Sequence, residues 1–378
     1  MSMAYLYGKK FVGPITPTIL ALREDLYDTP YENINWDKAR HSCAKEDLHY
    51  PHSRVQNIVF GCLNKFVEPI LNCWPVNKLR DKALRNLMDH IHYEDETTNY
   101  VGKCPINKAL NMIYGMKAQV YDGCHNWEIA FIVQAYCSTD LIGEFGPTLE
   151  KAHEFMKKSQ VLKNQPNYES YYRHRSKGAW TLSTVDNGWS VADCTAEVIK
   201  ALLRLSKISP NLVGEPITQE RLYDAIDCLL SFMNKDGTFS TYECKRTASW
   251  LEVLNPSETF RKIVVDYPSV ECTSSTLDAL VIFKDMYQQY RRTEIEKCVQ
   301  NASIFIEKSQ RKDGAWYGTW GICFTYGTMF AVRGLVAAGR TYENSYSIRK
   351  ACNFLLSKQQ ITGGWGESYI SSDTEVTF

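Results

Sequence analysis

An all-α architecture of stacked helical hairpins is the fold class this sequence predicts. Three observations predict it. Apolar residues recur at helical spacing through most of the chain, a Gln-x-x-x-Gly-x-Trp pattern follows two helices in full and two more in part, and strand-like alternation is confined to short pieces such as Thr238 to Tyr242. With 378 residues, 44% of them hydrophobic and 12% aromatic, the chain has the material for one large or two medium domains.

Composition excludes some functions before any motif is read. Formal net charge is zero and no long basic run exists, so a phosphate-tracking nucleic-acid binder has no electrostatic footprint here. Thirteen cysteines are scattered singly with no Cys-x-x-Cys, and the N-terminus lacks a basic-then-apolar signal region, which fits a reduced, cytosol-facing setting. No apolar run approaches the length of a membrane span. Any membrane contact is therefore expected from one side.

Taken in order, Phe11 to Tyr27 starts with a Pro/Thr-punctuated apolar entry and continues as a short helix showing Ile19, Leu20, Leu22 and Leu26. An ordinary amphipathic core helix accounts for the stripe. From Pro51 to Ile91, Val55, Ile58, Val59, Leu63, Phe66, Val67 and Ile70, then Leu79, Ala83, Leu84, Leu87 and Ile91, read as paired packing helices. His90, His92, Glu94, Asp95 and Glu96 follow; imidazole and carboxylate are competent metal ligands, but His-x-His without an outlying third ligand is read as structural. Helices are expected at Trp127 to Tyr136, Pro147 to Gln160 and Ile217 to Met233, the last capped by Thr218 and ended at Gly237.

Gly178 to Glu197 (GAWTLSTVDNGWSVADCTAE) sets an aspartic acid, Asp193, beside a cysteine among aromatic and small residues. Ala196, Val198, Ile199, Ala201, Leu202 and Leu205 then recur at helical spacing, so Asp193 opens a helix, where it serves as an N-cap or as an acid in an apolar pocket. Gln310 to Trp316 and Gln359 to Trp365 carry the repeat in full, Met233 to Phe239 is a degenerate copy, and Lys177-Gly178-Ala179-Trp180 keeps the tail. Gly lets the chain leave a helix in a left-handed conformation. Stacked αα hairpins follow.

Asp-Cys-Thr-Ala-Glu at 193–197 resembles the acid motif of the oxidosqualene cyclases, and the repeats resemble their QW repeats. Met3 to Tyr27, Lys45 to Pro51, His90 to Glu96, Phe145 to Gln160, Val270 to Ser274 and Asp313 to Gly327 are similar to plant members. The resemblance implies an α/α barrel, with residues 1–100 the remainder of a first barrel domain carrying a membrane-proximal segment and 101–378 the catalytic barrel. It implies about half a cyclase, starting after an aromatic segment, stopping before a last repeat, and lacking between Asn111 and Asp122 an insert that carries a pocket tryptophan.

The implied activity is that of a mutase-type isomerase: protonation of the epoxide of (3S)-2,3-oxidosqualene and guided carbocation cyclisation to a triterpene or sterol, with no cofactor and no metal. By resemblance Asp193 is the proton donor, Cys272 is its hydrogen-bond partner, and Phe260, Trp320 and Tyr326 line the cavity as cation-stabilising aromatics; the Cys194 thiol can serve as a donor to the acid as well. A thiol donor polarises the acid without ionising it, and aromatic faces stabilise cations. Two residues depart from the family pattern: Leu182 stands where a Phe is usual, and Met329 where a Trp is common.

An endoplasmic reticulum membrane or lipid droplet surface, on its cytosolic side, is the implied location. Alone, the chain is expected not to cyclise its substrate, because a carbocation needs a dry, closed cavity. The alternative is a catalytically silent α-repeat protein that binds lipid or a partner. A protein prenyltransferase subunit would need an Asp-x-Cys with a partnered His for zinc, and an ionising terpene synthase an Asp-Asp-x-x-Asp; neither stands out.

Overall fold

The computed structural model describes residues 1–39, 44, 46, 48–101, 110, 112–113, 123–258 and 262–375. Phe260 and, apart from residues 112 and 113, the stretch from Asn111 to Asp122 lie outside them. The chain forms two compact units, residues 1–93 with 247–265 and residues 94–246 with 266–378. Among the described residues there is no strand, only two isolated bridges.

The first unit holds α1 (Ser2–Lys9), α2 (Pro17–Leu26), α3 (Trp36–Ala39), α4 (Arg54–Cys62), α5 (Glu68–Asn72) and most of α6 (Asn77–Thr97). Pro17 at the first turn of α2 follows a Thr16 hydroxyl that accepts the Ile19 N–H, and a Ser53/Gln56 capping box starts α4. Not all of the expected packing faces are covered. Leu84 and Ile91 of α6 are buried, but Leu79 at its start and Val55, Ile58, Phe66 and Ile70 are exposed, so only the later part of the α6 stripe works as core here.

The second unit alternates inner and outer helices. Its inner row is α7 (His125–Tyr136), α9 (Ala192–Leu205), α12 (Val270–Met286) and α14 (Cys323–Ala337), each packed on the next. Behind them lie α8 (Gly146–Lys158), α11 (Gln219–Ser231), α13 (Arg292–Lys308) and α15 (Tyr346–Lys358), with short α10 (Pro210–Val213) against α8 and α16 (Ile370–Thr374) near α14. Position decides burial. Every residue of α9 except Arg204 is buried because the helix has neighbours on all sides, whereas outer α15 buries only Ile348, Ala351 and Phe354. The row also curls: Trp127 and Phe131 of α7 meet Phe330 of α14 at ring separations of 6.3 and 6.4 Å.

The repeats are clasps on the ends of the outer helices. After α13, Arg311 N–H donates to Ala315 O and Gly314 N–H to Arg311 O; after α15, α11 and α8 the same pair of bonds closes at Gln360/Gly364, Asn234/Thr238 and Val161/Ala179. In three of them the indole N–H reaches back to a helix carbonyl: Trp180 to Met156, Trp316 to Ile306 and Trp365 to Leu355, at 2.7, 2.7 and 2.8 Å. Gln310 Nε2 donates both to Gly314 O and to Ser347 O on α15. One clasp is therefore fastened to the next outer helix.

Gly178 belongs to a complete repeat, not a tail. Its glutamine is Gln160, whose Nε2 donates to Gly178 O at 2.9 Å and to Arg221 O of α11 at 3.0 Å, with residues 162–177 looped out between the two halves. Gly178 has φ +98°, and a Cβ there would sit 2.1 Å from Asp224 O, so no other residue fits. Met233 and Phe239 replace Gln and Trp in the second clasp, which keeps its backbone bonds and, in place of the glutamine and indole ones, has Asn234 Nδ2 donating to Thr238 O at 3.1 Å.

Two expectations fail locally. Thr238 to Tyr242 is no strand: its donors go to side chains, Phe239 N–H to Thr273 Oγ1 and Thr241 and Tyr242 N–H to the Asp266 carboxylate. Thr218 occupies the N-cap of α11, yet its side chain makes no capping bond.

Candidate active site

Two adjacent helix starts bring the acid and a thiol together. Val191, not Asp193, is the N-cap of α9, and Ala192 N–H donates to Thr241 O at 3.0 Å, which leaves Asp193 in the first turn with Oδ1 accepting from Cys194 N–H at 2.7 Å. Ser269 caps α12, its hydroxyl accepting from Cys272 N–H at 3.1 Å. Thr241, on the connection into α12, is the meeting point. Its Oγ1 lies 3.8 Å from Cys272 Sγ and accepts the Trp320 indole N–H at 3.1 Å.

Asp193 is 6% exposed, and burial pushes its carboxyl from the ordinary 3.8 up to about 7. The Cys194 amide and the Cys272 thiol pull the other way, while the Glu271 and Glu197 charges push it further up. Desolvation wins over both bonds and over the positive end of α9. The acid is therefore about half protonated near pH 7 and largely neutral a unit below it.

Neither thiol ionises, since burial and the neighbouring Asp193 push both well above the ordinary range. Their roles differ from the expectation. Cys194 Sγ donates to Thr181 O at 3.0 Å, so its contribution to Asp193 comes from the backbone N–H, whereas Cys272 reaches the acid through its side chain. The physical reason is helix geometry: a first-turn residue next to Asp193 directs its side chain around the cylinder, away from its neighbour.

Tyr326 sits close enough to the carboxyls that, after burial, the Glu271 and Asp193 charges push its hydroxyl up; it stays a neutral phenol. Gly318 and Gly321 make room for its ring, since a Cβ at either would fall 2.5 and 2.7 Å from it. Trp320 is 57% exposed and Met329 41% exposed, while Leu182 is half-buried with its carbonyl 3.4 Å from Trp127 N–H.

Several residues were not anticipated. Trp127, Phe131 and Phe330 join the expected Tyr326 in one aromatic cluster, with Tyr326 and Phe330 rings 5.0 Å apart; the i, i+4 spacing within each helix was the available signal. Glu271 is buried beside Cys272 in the same motif. Below the acid, Glu197 accepts from Lys200 Nζ (2.7 Å), Gln134 Nε2 (2.8 Å) and Ser275 Oγ (2.8 Å), and Lys200 also meets Asp278 at 2.9 Å.

Residues 124–377 match the family described as squalene–hopene cyclase C-terminal domain. The chain belongs to the squalene–hopene and oxidosqualene cyclase family. The inner and outer helix rows are accordingly those of its α/α-barrel fold. The chain is 39% identical over 404 aligned residues to alpha-onocerin synthase LCD of Lycopodium clavatum, covering 100% of itself and 53% of that protein. Against lanosterol synthase of Mus musculus it is 38% identical, covering 99% and 55%, and against cycloartenol synthase of Dictyostelium discoideum 40%, covering 90% and 51%. The chain spans about half the length of these relatives. An alignment of 404 positions against 378 residues also means that the onocerin synthase carries residues inside the matched span that this cyclase-family chain lacks.

Proposed function

We propose that this chain carries the acid site of an oxidosqualene cyclase and that Asp193 protonates the epoxide of (3S)-2,3-oxidosqualene. The observation that carries the reading is a buried carboxyl, raised by burial to about 7, that among the described residues has no cation beside it, is hydrogen-bonded by a neutral thiol and is flanked by aromatics. Proton transfer from Asp193 to the epoxide oxygen breaks a C–O bond, and the resulting carbocation is taken up by neighbouring double bonds. Trp320, Tyr326 and the Trp127, Phe131 and Phe330 cluster offer π faces, each contributing about 1–2 kcal/mol to a desolvated cation. Asp193, left as a carboxylate, must regain a proton before the next turnover. Leu182, which has no quadrupole, makes the cascade's endpoint differ from one set by a Phe.

The test places this chain in a chimera that supplies the other half of a relative and measures triterpene alcohols from racemic oxidosqualene by mass spectrometry. Asp193→Asn keeps the shape but has no proton to give. Product formation is expected to vanish with the fold intact; cyclic product from the Asn variant would overturn the assignment.

Exposure of Trp320 favours a second reading, in which the same surface binds a lipid without turning it over. Binding of the substrate unaffected by Asp193→Asn, with no product from the wild-type chimera, would select it. We further propose contact with one leaflet of a membrane through α2, where Ile19, Leu20, Leu22 and Leu26 are exposed behind Phe11, Val12 and Ile15. Among the described residues no helix is long and apolar enough to cross a membrane. Flotation with phosphatidylcholine vesicles is expected to carry the chain, and Leu20→Glu with Leu22→Glu to release it.

A further inference from the structure

Glu271 is fully buried, yet among the described residues no cation pairs with it. A buried carboxyl without a counter-ion is costly, so what it bonds to is informative. Besides its own amide and the Ser269 hydroxyl, which also bond the carboxyl, its Oε1 accepts two consecutive backbone N–H groups, those of Thr319 and, at 3.0 Å, Trp320. The last two bonds fall on the turn that leads into α14.

That turn carries an indole with little packing of its own. Trp320 is 57% exposed, and what fixes it is the backbone bond to Glu271 at one end and the indole bond to Thr241 Oγ1 at the other. Thr241 also meets Cys272, the residue after Glu271, so the two anchors of Trp320 are tied to the first turn of α12, which holds the acid's thiol partner.

We propose that Glu271 is a positioning residue for Trp320: its carboxyl holds the Thr319–Trp320 turn against α12 so that the indole closes onto Thr241 beside Asp193. The consequence for chemistry rests on the cyclase reading above, since only there does an indole face beside the acid decide which cation is stabilised. The positioning itself is independent of turnover. Glutamine keeps an acceptor oxygen at the same reach, and aspartate withdraws it by one methylene.

The experiment follows the Trp320 indole N–H in the full chain labelled with ¹⁵N-tryptophan, assigned by its loss in Trp320→Phe. Glu271→Gln is expected to leave its shift and hydrogen exchange near wild type. Glu271→Asp and Glu271→Ala are expected to move it toward a free indole and speed its exchange about tenfold, the loss of one net hydrogen bond. The buried Trp180 and Trp316 indoles are expected to stay where they are. An unmoved Trp320 signal in Glu271→Asp, or movement of all three indoles together, would overturn the proposal. In the chimera, Glu271→Asp is expected to change the ratio of products and Glu271→Gln to leave it. If the wild-type chimera makes no product at all, the cyclase reading fails while the indole measurement still decides the role of Glu271.

Discussion

Asp193 and Glu197 stand one turn apart on α9, both buried, and they titrate in opposite directions. For each the largest influence is burial, which pushes a carboxyl up. At Glu197 the charge and hydrogen bond of Lys200, with Gln134 and Arg333, overcome it and hold the group below the usual carboxylate range. At Asp193 the donors are an amide and a thiol, and burial prevails, to about 7. Burial thus sets the cost of charge in both places, but the partner decides whether it is carried. A cation makes a structural anion, and a neutral donor leaves an acid.

Removing the cation breaks the comparison most severely. Lys200→Met would leave Glu197 buried beside an apolar chain, with Asp278 keeping Arg333 at 3.5 Å, and we expect a loss of about 3–5 kcal/mol in urea unfolding at pH 7. A loss below about 1 kcal/mol would mean that Lys200 is not what separates the two carboxyls.

The acid itself sharpens it. The folded pKa of Asp193 lies above the unfolded value, so the folded state holds a proton that the unfolded chain releases, and this contribution to stability is full below about pH 3.8 and lost as pH rises to about 7. Asp193→Asn has no such dependence. Its stability relative to wild type is expected to improve by about 3 kcal/mol between pH 5 and 8, at 1.36 kcal/mol per unit, and a pH-independent difference would show that the acid is ionised throughout.

The thiol gives the smallest effect. Cys272→Ala withdraws a bond that lowers the Asp193 pKa, so the titration midpoint is expected to rise by up to about one unit, the scale of one hydrogen bond. The carboxyl ¹³C shift of Asp193 against pH measures it. A fall would assign the thiol the opposite role.

How much of this was legible in the chain depended on distance along it. The Gln310 and Gln359 clasps were readable because Gln, Gly and Trp fall within seven letters, and Asp193 because its motif is contiguous. Gln160 was not paired with Gly178 because its hydrogen bond spans 18 residues. The Thr241 junction escaped for the same reason, its partners lying 31 and 79 residues away. Helical periodicity located the helices, but exposed Val55, Ile58 and Phe66 show that an apolar stripe states what a face prefers and not what covers it. Cys194 was named as a side-chain donor when its backbone does the bonding, a distinction composition does not carry.

The looped-out clasp between Gln160 and Gly178 makes the outer helix end a grafting port. Because Gln160 fastens Gly178 and Arg221 by side-chain bonds, the staple tolerates whatever runs between its halves, and the entropy of closing that excursion grows only slowly with its length. Here the excursion delivers Arg173, whose guanidinium lies 3.4 Å over the Trp189 ring and bonds Glu94 at 2.9 Å and Gly188 O at 3.1 Å, just ahead of the acid helix. An evolving or engineered chain that exchanges residues 162–177 keeps the clasp bonds of Val161, Gly178 and Ala179 but has to replace those the excursion makes to α11, Lys177 with Asp224 at 2.8 Å and His174 with Ser231 at 2.9 Å. New side chains would then arrive at the threshold of α9 while the scaffold beneath them stayed the same.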